Sequence, residues 1–347
     1  MHWRHRIHQP GVLAALGAAL LFGAGTPLVK LLLETVNPWL LAGLLYLGSG
    51  VGLTLYRWLC RSPAGRLPAQ EAPWLAGATV AGGIVAPVLL MAGLTELPAS
   101  SASLLLNAEG VFTALLAWFV FKENFDRRIA LGMIAIVAGA AILSWPGETH
   151  FAEVWPALAV LGACLAWGID NNLTRKVSLM DATWIAAVKG LTAGMVNLGL
   201  AFSRGATLPP MPNVAEAMVV GFLAYGVSLA LFVVGLRHLG TARTSAYFSV
   251  APFFGAILAL LFGETFTPQL LIAGALMALG IWLHLTERHE HEHTHEALEH
   301  EHKHVGDEHH QHEHDEQPGT QHSHRHRHPS LTHWHLHFPD AHHRHEH

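Results

Sequence analysis

Between residue 11 and about residue 287 the chain strings together ten apolar runs of roughly 17 to 24 residues, and this succession limits the fold more than any other feature. At a rise of 1.5 Å per residue, some 20 helical residues cover the ~30 Å of a bilayer's hydrocarbon. No water reaches that depth to satisfy backbone N–H and C=O groups, which leaves only helices or closed barrels. The runs are continuous and rich in Leu, Ala, Gly and Val, without the alternation of a spanning strand, so the barrel is excluded. The helices are expected near 11–33, 38–58, 72–94, 98–121, 129–145, 154–174, 182–203, 214–236, 240–262 and 268–287. Short links marked by Asn37-Pro38, Pro146-Gly147, Pro209-Pro210 and Gly240 leave no room for a soluble domain between them.

Lys and Arg set the orientation, because they collect in cytoplasmic loops. One side of the expected topology holds Arg4, Arg6, Arg57, Arg61, Arg66, Lys122, Arg127, Arg128, Arg175, Lys176, Arg237 and Arg243, whereas the other holds only Arg204. Both termini are therefore expected in the cytoplasm of a cell whose inner (plasma) membrane the chain crosses many times. The first run follows Arg4 and Arg6 as a signal peptide would, but its match to the sixth run argues that it stays in place.

That match belongs to a duplication. Ser101–Glu123 and Thr244–Glu264 share a pattern in which Ser103 aligns with Ser245, Gly110 with Pro252, Phe112 with Phe254 and Ala117 with Ala259, and after a one-residue slip Glu123 meets Glu264. Leu16–Lys30 likewise matches Leu161–Arg175, and Trp39 matches Trp184. Each unit holds five spans, an odd number, so the second must enter the membrane inverted relative to the first, an architecture that places substrate sites near midplane between the halves. The expected organisation is a cytoplasmic segment 1–10, repeats 11–145 and 146–287, and a tail 288–347.

With the Ser-Ala-Ser of residues 101–103, the Glu-Gly-Val-Phe of 109–112, the Ala-Pro-Phe-Phe of 251–254 and the closing acids Glu123 and Glu264, the body resembles the EamA family of the drug/metabolite transporter superfamily. The resemblance covers residues 11 to about 287. It implies ten helices and export of amino acids, purines, other metabolites or drugs. The Glu-Pro pair common in that family is split here, with Glu109-Gly110 in one repeat and Ala251-Pro252 in the other.

An ionisable side chain at bilayer depth costs several kcal/mol, so the few in these runs are the candidates for chemistry. Glu109 stands about ten residues into the fourth run, as a titrating or cation-binding carboxylate or as a neutral hydrogen-bonded acid. At 100° per residue, Asn107 and Ser103 fall on nearly the opposite face from Glu109 and Thr113, so one face only is expected to line a cavity. Lys30 and its counterpart Arg175 lie at run ends, where snorkelling accounts for both, the alternative being a role in steering an anionic substrate. Lys189 is deeper, able to neutralise Glu109 or Asp170 or to bind a carboxylate. Asp170, Asn171 and Asn172 form a polar cluster, and Trp167, Tyr225 and Tyr247 are candidate substrate contacts or packing residues. Cys60 and Cys164 are expected to be unpaired. No nucleophile with its base, catalytic carboxylate pair, phosphate loop or nucleic-acid motif can be assembled, so the body is not read as an enzyme and needs no cofactor.

The tail differs in kind. From Arg288 onward it carries 22 of the chain's 28 His, interleaved with Glu. Neutral imidazole suits Zn, Ni, Co and Cu, and His289, His291, His293, His295, His300, His302, His304, His309, His310, His312 and His314 are the candidate ligands. With little to bury apart from Trp334, Leu336 and Phe338, the tail is expected to be disordered without metal. The i,i+4 pairs His289/His293 and His300/His304 are expected to let metal extend the last helix. The favoured function is a secondary transporter exporting a small organic metabolite, with a metal-binding tail. The alternatives are a transition-metal or metal-chelate exporter and a membrane-anchored metal sensor. The bilayer, a small-molecule substrate, a divalent transition metal and a second copy in a homodimer are the partners considered.

Overall fold

The structure, a computed structural model, describes residues 10–63, 65, 67–120, 127–144 and 154–285 of the body, and 290–295, 298–304, 322–328 and 331–336 of the tail. Body and tail separate as two compact units, Met1–Glu287 and Arg288–His347.

The described body is helical: α1 (Pro10–Leu32), α2 (Pro38–Leu59), α3 (Ala72–Ala78), a π-helical stretch π1 (Thr79–Val85), α4 (Ala86–Leu94), α5 (Ala99–Leu105), α6 (Ala108–Phe119), α7 (Arg127–Ser144), α8 (Trp155–Val177), α9 (Ala182–Ser203), α10 (Met211–Val220), a second stretch π2 (Gly221–Val227), α11 (Ser228–Phe248), α12 (Ala251–Leu261) and α13 (Pro268–Leu285). Six helical stretches are long and apolar enough to cross a bilayer, and Ala130–Leu143, Ala251–Leu261 and Pro268–Leu283 are shorter apolar helices. α8 has the length but carries Asp170, Asn171, Asn172, Arg175 and Lys176 in its second half. Large apolar side chains such as Trp58, Phe119, Ile134, Leu261 and Trp282 stand exposed on the outside, as suits a body solvated by lipid tails.

Local chemistry sets the element ends. Asn37 accepts hydrogen bonds from the N–H groups of Trp39 and Leu40 and opens α2, with Pro38 tolerated at the first turn where an N–H is orphaned anyway. Asp181 accepts from the Trp184 N–H and opens α9. Pro87 explains part of π1: it has no N–H to give the Gly83 carbonyl four residues earlier, and the Ala86 N–H reaches back five residues to Ala81. The carbonyls of Gly82 and Gly83 are left for side chains from other helices.

The expected link between the eighth and ninth spans is absent as a loop, because residues 228–248 are helical throughout. The chain nonetheless turns back on itself there. The rings of Phe232 and Phe248 lie 5.0 Å apart, whereas a straight helix would separate residues sixteen positions apart by about 24 Å.

Elements recur along the chain. Helices starting at Pro10, Pro38, Ala108 and Arg127 are answered at Trp155, Ala182, Ala251 and Pro268, and π1 by π2. Helical continuity fails at Leu106–Asn107 and again at Ser249–Val250. The packing follows suit: α2 lies against α9 and α7 against α13, while α8 packs on α6 and α4 as α1 packs on α12 and α11. α2 and α9 cross with their backbones touching. A Cβ on Gly50 would fall closer than 3.0 Å to the main chain of Gly190 and Leu191, and one on Gly190 would meet Gly50 in return. Small residues permit this approach, which lipid-embedded helices use in place of a hydrophobic drive.

The tail departs from expectation. Its described residues form four strands, β1 (Glu290–His295), β2 (Leu298–His304), β3 (His322–His328) and β4 (Leu331–Leu336), in two antiparallel pairs. β1 pairs with β4 and β2 with β3, a register that sets His291 opposite His335, His293 opposite His333, His300 opposite His326, His302 opposite His324 and His304 opposite His322. Disorder does not describe these segments. The cause is in the sequence: His alternating with Glu or Arg has the period of two that belongs to a strand, and residues four apart share a strand face as readily as a helix face. His289, His309, His310, His312 and His314 lie outside the described residues.

Candidate functional site

The polar half of α8 meets the kinked elements in the interior of the body. Trp167, Asp170 and Asn171, at i, i+3 and i+4, fall on one face of α8 and line a cavity with Lys189 of α9, Glu109 of α6, Tyr46 of α2, Phe22 of α1, Tyr225 of π2, and Ser228, Phe232 and Phe248 of α11. Its space amounts to about 480 Å³, part of it open to the exterior. The wall is largely aromatic. Phe22 contacts Trp167 edge-on at 5.5 Å, Tyr225 at 5.8 Å and Phe248 at 5.3 Å, and Tyr46 meets Tyr225 at 5.3 Å.

Two polar groups are built into that wall. Lys189, only 1% exposed, donates to Asp170 at 2.5 Å and to the Thr174 hydroxyl at 3.2 Å, while Thr174 donates to the same Asp170 oxygen at 2.7 Å. A Cβ at Gly82 would collide with the Asp170 carboxylate, so the glycine in π1 makes room for this pair. The second group is Glu109, 8% exposed, whose Oε1 accepts from the Asn171 amide at 2.8 Å. Asn171 also reaches the Thr113 hydroxyl, and Asn172 donates to the main chain of Thr113 and Gly168, which ties α8 to α6. Among the described residues no basic side chain bonds Glu109, and in this the carboxylate differs from Asp170 with its Lys189 partner. The carbonyls freed in π1 are covered as well: Tyr46 and Trp167 donate to Gly82, and Asn197 to Gly83.

A smaller chamber, about 320 Å³ and likewise open in part, adjoins the first and shares Phe22, Glu109 and Phe248 with it. It sits where both helix breaks meet, and Asn107, Gly110, Thr113, Ser245, Ser249 and Pro252 complete its lining. Asn107, Glu109 and Thr113 thus face one chamber, against the expectation that Asn107 and Glu109 take opposite faces. The 100° count holds only along an unbroken helix, and the chain breaks between α5 and α6 at Leu106–Asn107.

The other candidates lie apart. Ser103 is buried against Gly255, outside both chambers. Lys30 donates to the carbonyls of Leu94 and Thr95 at 2.6 and 3.1 Å, and so caps the C-terminal end of α4. Tyr247 packs beside Val12, Ala15 and Leu239. The Cys164 thiol donates to the Leu105 carbonyl at the α5 end, and Cys60 is exposed and free. Phe22, Tyr46, Phe232 and Phe248 were not singled out from sequence, because an aromatic residue within a span carries no local mark separating wall from packing. Among the described residues no group of three or more His, Cys, Asp and Glu could hold a metal ion.

A family model for EamA-like transporters matches residues 9–145 and again residues 154–286. An uncharacterised transporter of Methanothermobacter thermautotrophicus is 26% identical over 79% of this chain and 85% of its own length. A probable terminal-alkyne amino-acid exporter of Streptantibioticus cattleyicolor is 26% identical over 62% of this chain and 73% of its own. One solved crystal structure superposes with a TM-score of 0.63 over 79% of this chain and 95% of that one, at 18% identity, a likeness of fold alone.

Proposed function

The chain belongs to the EamA-like transporter family, and on that premise we propose that it is an inner-membrane secondary transporter exporting a small amino acid or close derivative by alternating access. The observation that carries this is the larger cavity, an aromatic chamber in which Glu109, a buried carboxylate bonded by no basic side chain among the described residues, stands near the Lys189–Asp170 pair. A zwitterion fits that arrangement. Its ammonium group would take Glu109, its carboxylate would compete with Asp170 for Lys189, and its apolar side chain would lie on Phe22, Trp167 and Tyr225. The amino-acid exporter of Streptantibioticus supports the same substrate class.

The architecture proposed is ten spans in two inverted five-helix halves with both ends in the cytoplasm. The recurrence of helices, π stretches and breaks, the turn within α11 and the double family match support it. The tail is proposed to bind Zn, Ni, Co or Cu on the strength of its His content.

The test is transport in proteoliposomes across a panel of amino acids, their amides and their amines, with and without a pH gradient. Wild type should move at least one zwitterion and respond to the gradient, and Glu109→Gln should lose that response with a fall in rate of tenfold or more, about 1.4 kcal/mol. A Glu109→Gln chain that keeps both rate and gradient dependence would make this carboxylate structural.

A further inference from the structure

The smaller chamber has a chemistry that substrate binding does not use. Among the described residues its polar lining consists of Asn107, Glu109, Thr113, Ser245 and Ser249, and none of these is a Lys, Arg or His. Asn107 is 1% exposed and its amide nitrogen is turned away, donating to the Leu104 carbonyl at 3.1 Å and toward the Met277 sulfur at 3.5 Å. Among the described residues its carbonyl oxygen is buried with no partner, and so is the hydroxyl of Ser245. A buried amide oxygen without a donor is left with its desolvation cost unrepaid. An uncompensated carboxylate at bilayer depth costs more. Both residues line one small space at the junction of two interrupted helices, where unwound backbone in transporters meets coupling ions.

We infer that this chamber binds one largely dehydrated monovalent cation, Na⁺, held by Asn107 Oδ1, the Glu109 carboxylate and the Ser245 hydroxyl. The donors are hard oxygens, which suit alkali and alkaline-earth cations and disfavour the thiolate- or imidazole-seeking transition metals. A single carboxylate matches a single positive charge, whereas a divalent ion would be left half neutralised. A proton on Glu109 would also cancel the charge and give the carboxyl an O–H donor, so a response to Na⁺ at fixed pH is what separates the two occupants. As a coupling ion, a use that rests on the exporter reading, the cation competes with the proton for Glu109, a carboxylate that also lines the substrate cavity. A substrate ammonium drawing on Glu109 weakens the cation's hold, so the two exchange rather than bind together.

Thermal unfolding of the purified full chain at fixed pH and ionic strength, with Na⁺ replaced by Li⁺, K⁺ or choline, tests the site without knowledge of the substrate. Wild type should gain thermal stability saturably with Na⁺ and not with choline, as follows when a ligand binds the folded state alone. Asn107→Leu and Ser245→Ala should each weaken the apparent Na⁺ affinity, Asn107→Leu by about ten- to a hundredfold. Ser203→Ala, at an exposed helix end, should leave it unchanged. The smaller Ser245→Ala change serves if Asn107→Leu fails to fold. Equal stability of wild type in Na⁺ and choline overturns the assignment and makes the chamber a water pocket, as does a Na⁺ response that survives both substitutions. If Na⁺ has no effect while Glu109→Gln still abolishes gradient-dependent transport, this inference falls and the exporter stands. If Na⁺ binds as described but no panel solute moves, the site stands and the substrate reading falls.

Discussion

Asp170 and Lys189 neutralise each other while almost wholly buried, with side chains 8% and 1% exposed, so the two substitutions that break the pair should differ from the one that removes it. Asp170→Asn leaves a buried ammonium whose remaining partner is the Thr174 hydroxyl, and Lys189→Met leaves a buried carboxylate. Each should destabilise by about 3–5 kcal/mol, and the double variant by clearly less than their sum. Denaturant unfolding in detergent is the measurement. Strict additivity would mean that the ions do not depend on each other in the folded protein. These two residues, with Glu109, Asn171 and Tyr225, could be singled out from sequence because polar groups in apolar runs are expensive and therefore few. Phe22, Tyr46 and Phe248 could not, since their role comes from which helices converge. The placement of Asn107 was misjudged for a similar reason: a face count assumes an intact helix, and nothing in Leu-Leu-Leu-Asn-Ala announces the break.

At the level of helices, the junction of α2 and α9 is stapled at one end by Asp181. Its carboxylate caps α9 through the Trp184 N–H, accepts from the Thr183 hydroxyl at 2.6 Å and pairs with Arg57, which also bonds the Pro63 carbonyl. Burial pushes the Asp181 carboxyl up, but the Thr183 and Trp184 hydrogen bonds and the Arg57 charge more than reverse this and hold it below its usual value. A depressed carboxyl pKa stabilises the fold above the unfolded-state value of about 4, and that contribution disappears as pH falls through the lowered folded-state value. Asp181→Ala should therefore cost about 0.5–2 kcal/mol at neutral pH. It should also flatten the acid limb of stability against pH below about 5, read by thermal unfolding between pH 7 and 3. An unchanged acid limb would show that other carboxylates govern it. Asp181 is also why α9 begins where sequence placed it, since a cap is a local signal. The π stretches and the turn inside α11 were not legible, because both depend on which side chains arrive from other helices.

For the molecule as a whole, the chain cut after Glu287 and carrying a cytoplasm-active reporter there should light the reporter and keep its transport. The full chain, but not the cut one, should bind several Zn²⁺, Ni²⁺, Co²⁺ or Cu²⁺ ions by calorimetry. That affinity should fall as pH drops through about 6.5, because ligation needs neutral imidazole. A silent reporter would reverse the proposed orientation, and equal metal binding by both chains would remove the tail's role. The many-helix membrane body was plain from run length, because hydrocarbon admits so few alternatives, whereas the tail's strands were missed by favouring a helical reading of its His spacing. One contact ties the body together across its two family-matched segments. Gly50 lies in the first and Gly190 in the second, and each is small because the other's main chain is there. A side chain gained at either glycine is felt in the opposite half, so a change at one should be tolerated only where both sides of the crossing are reshaped together.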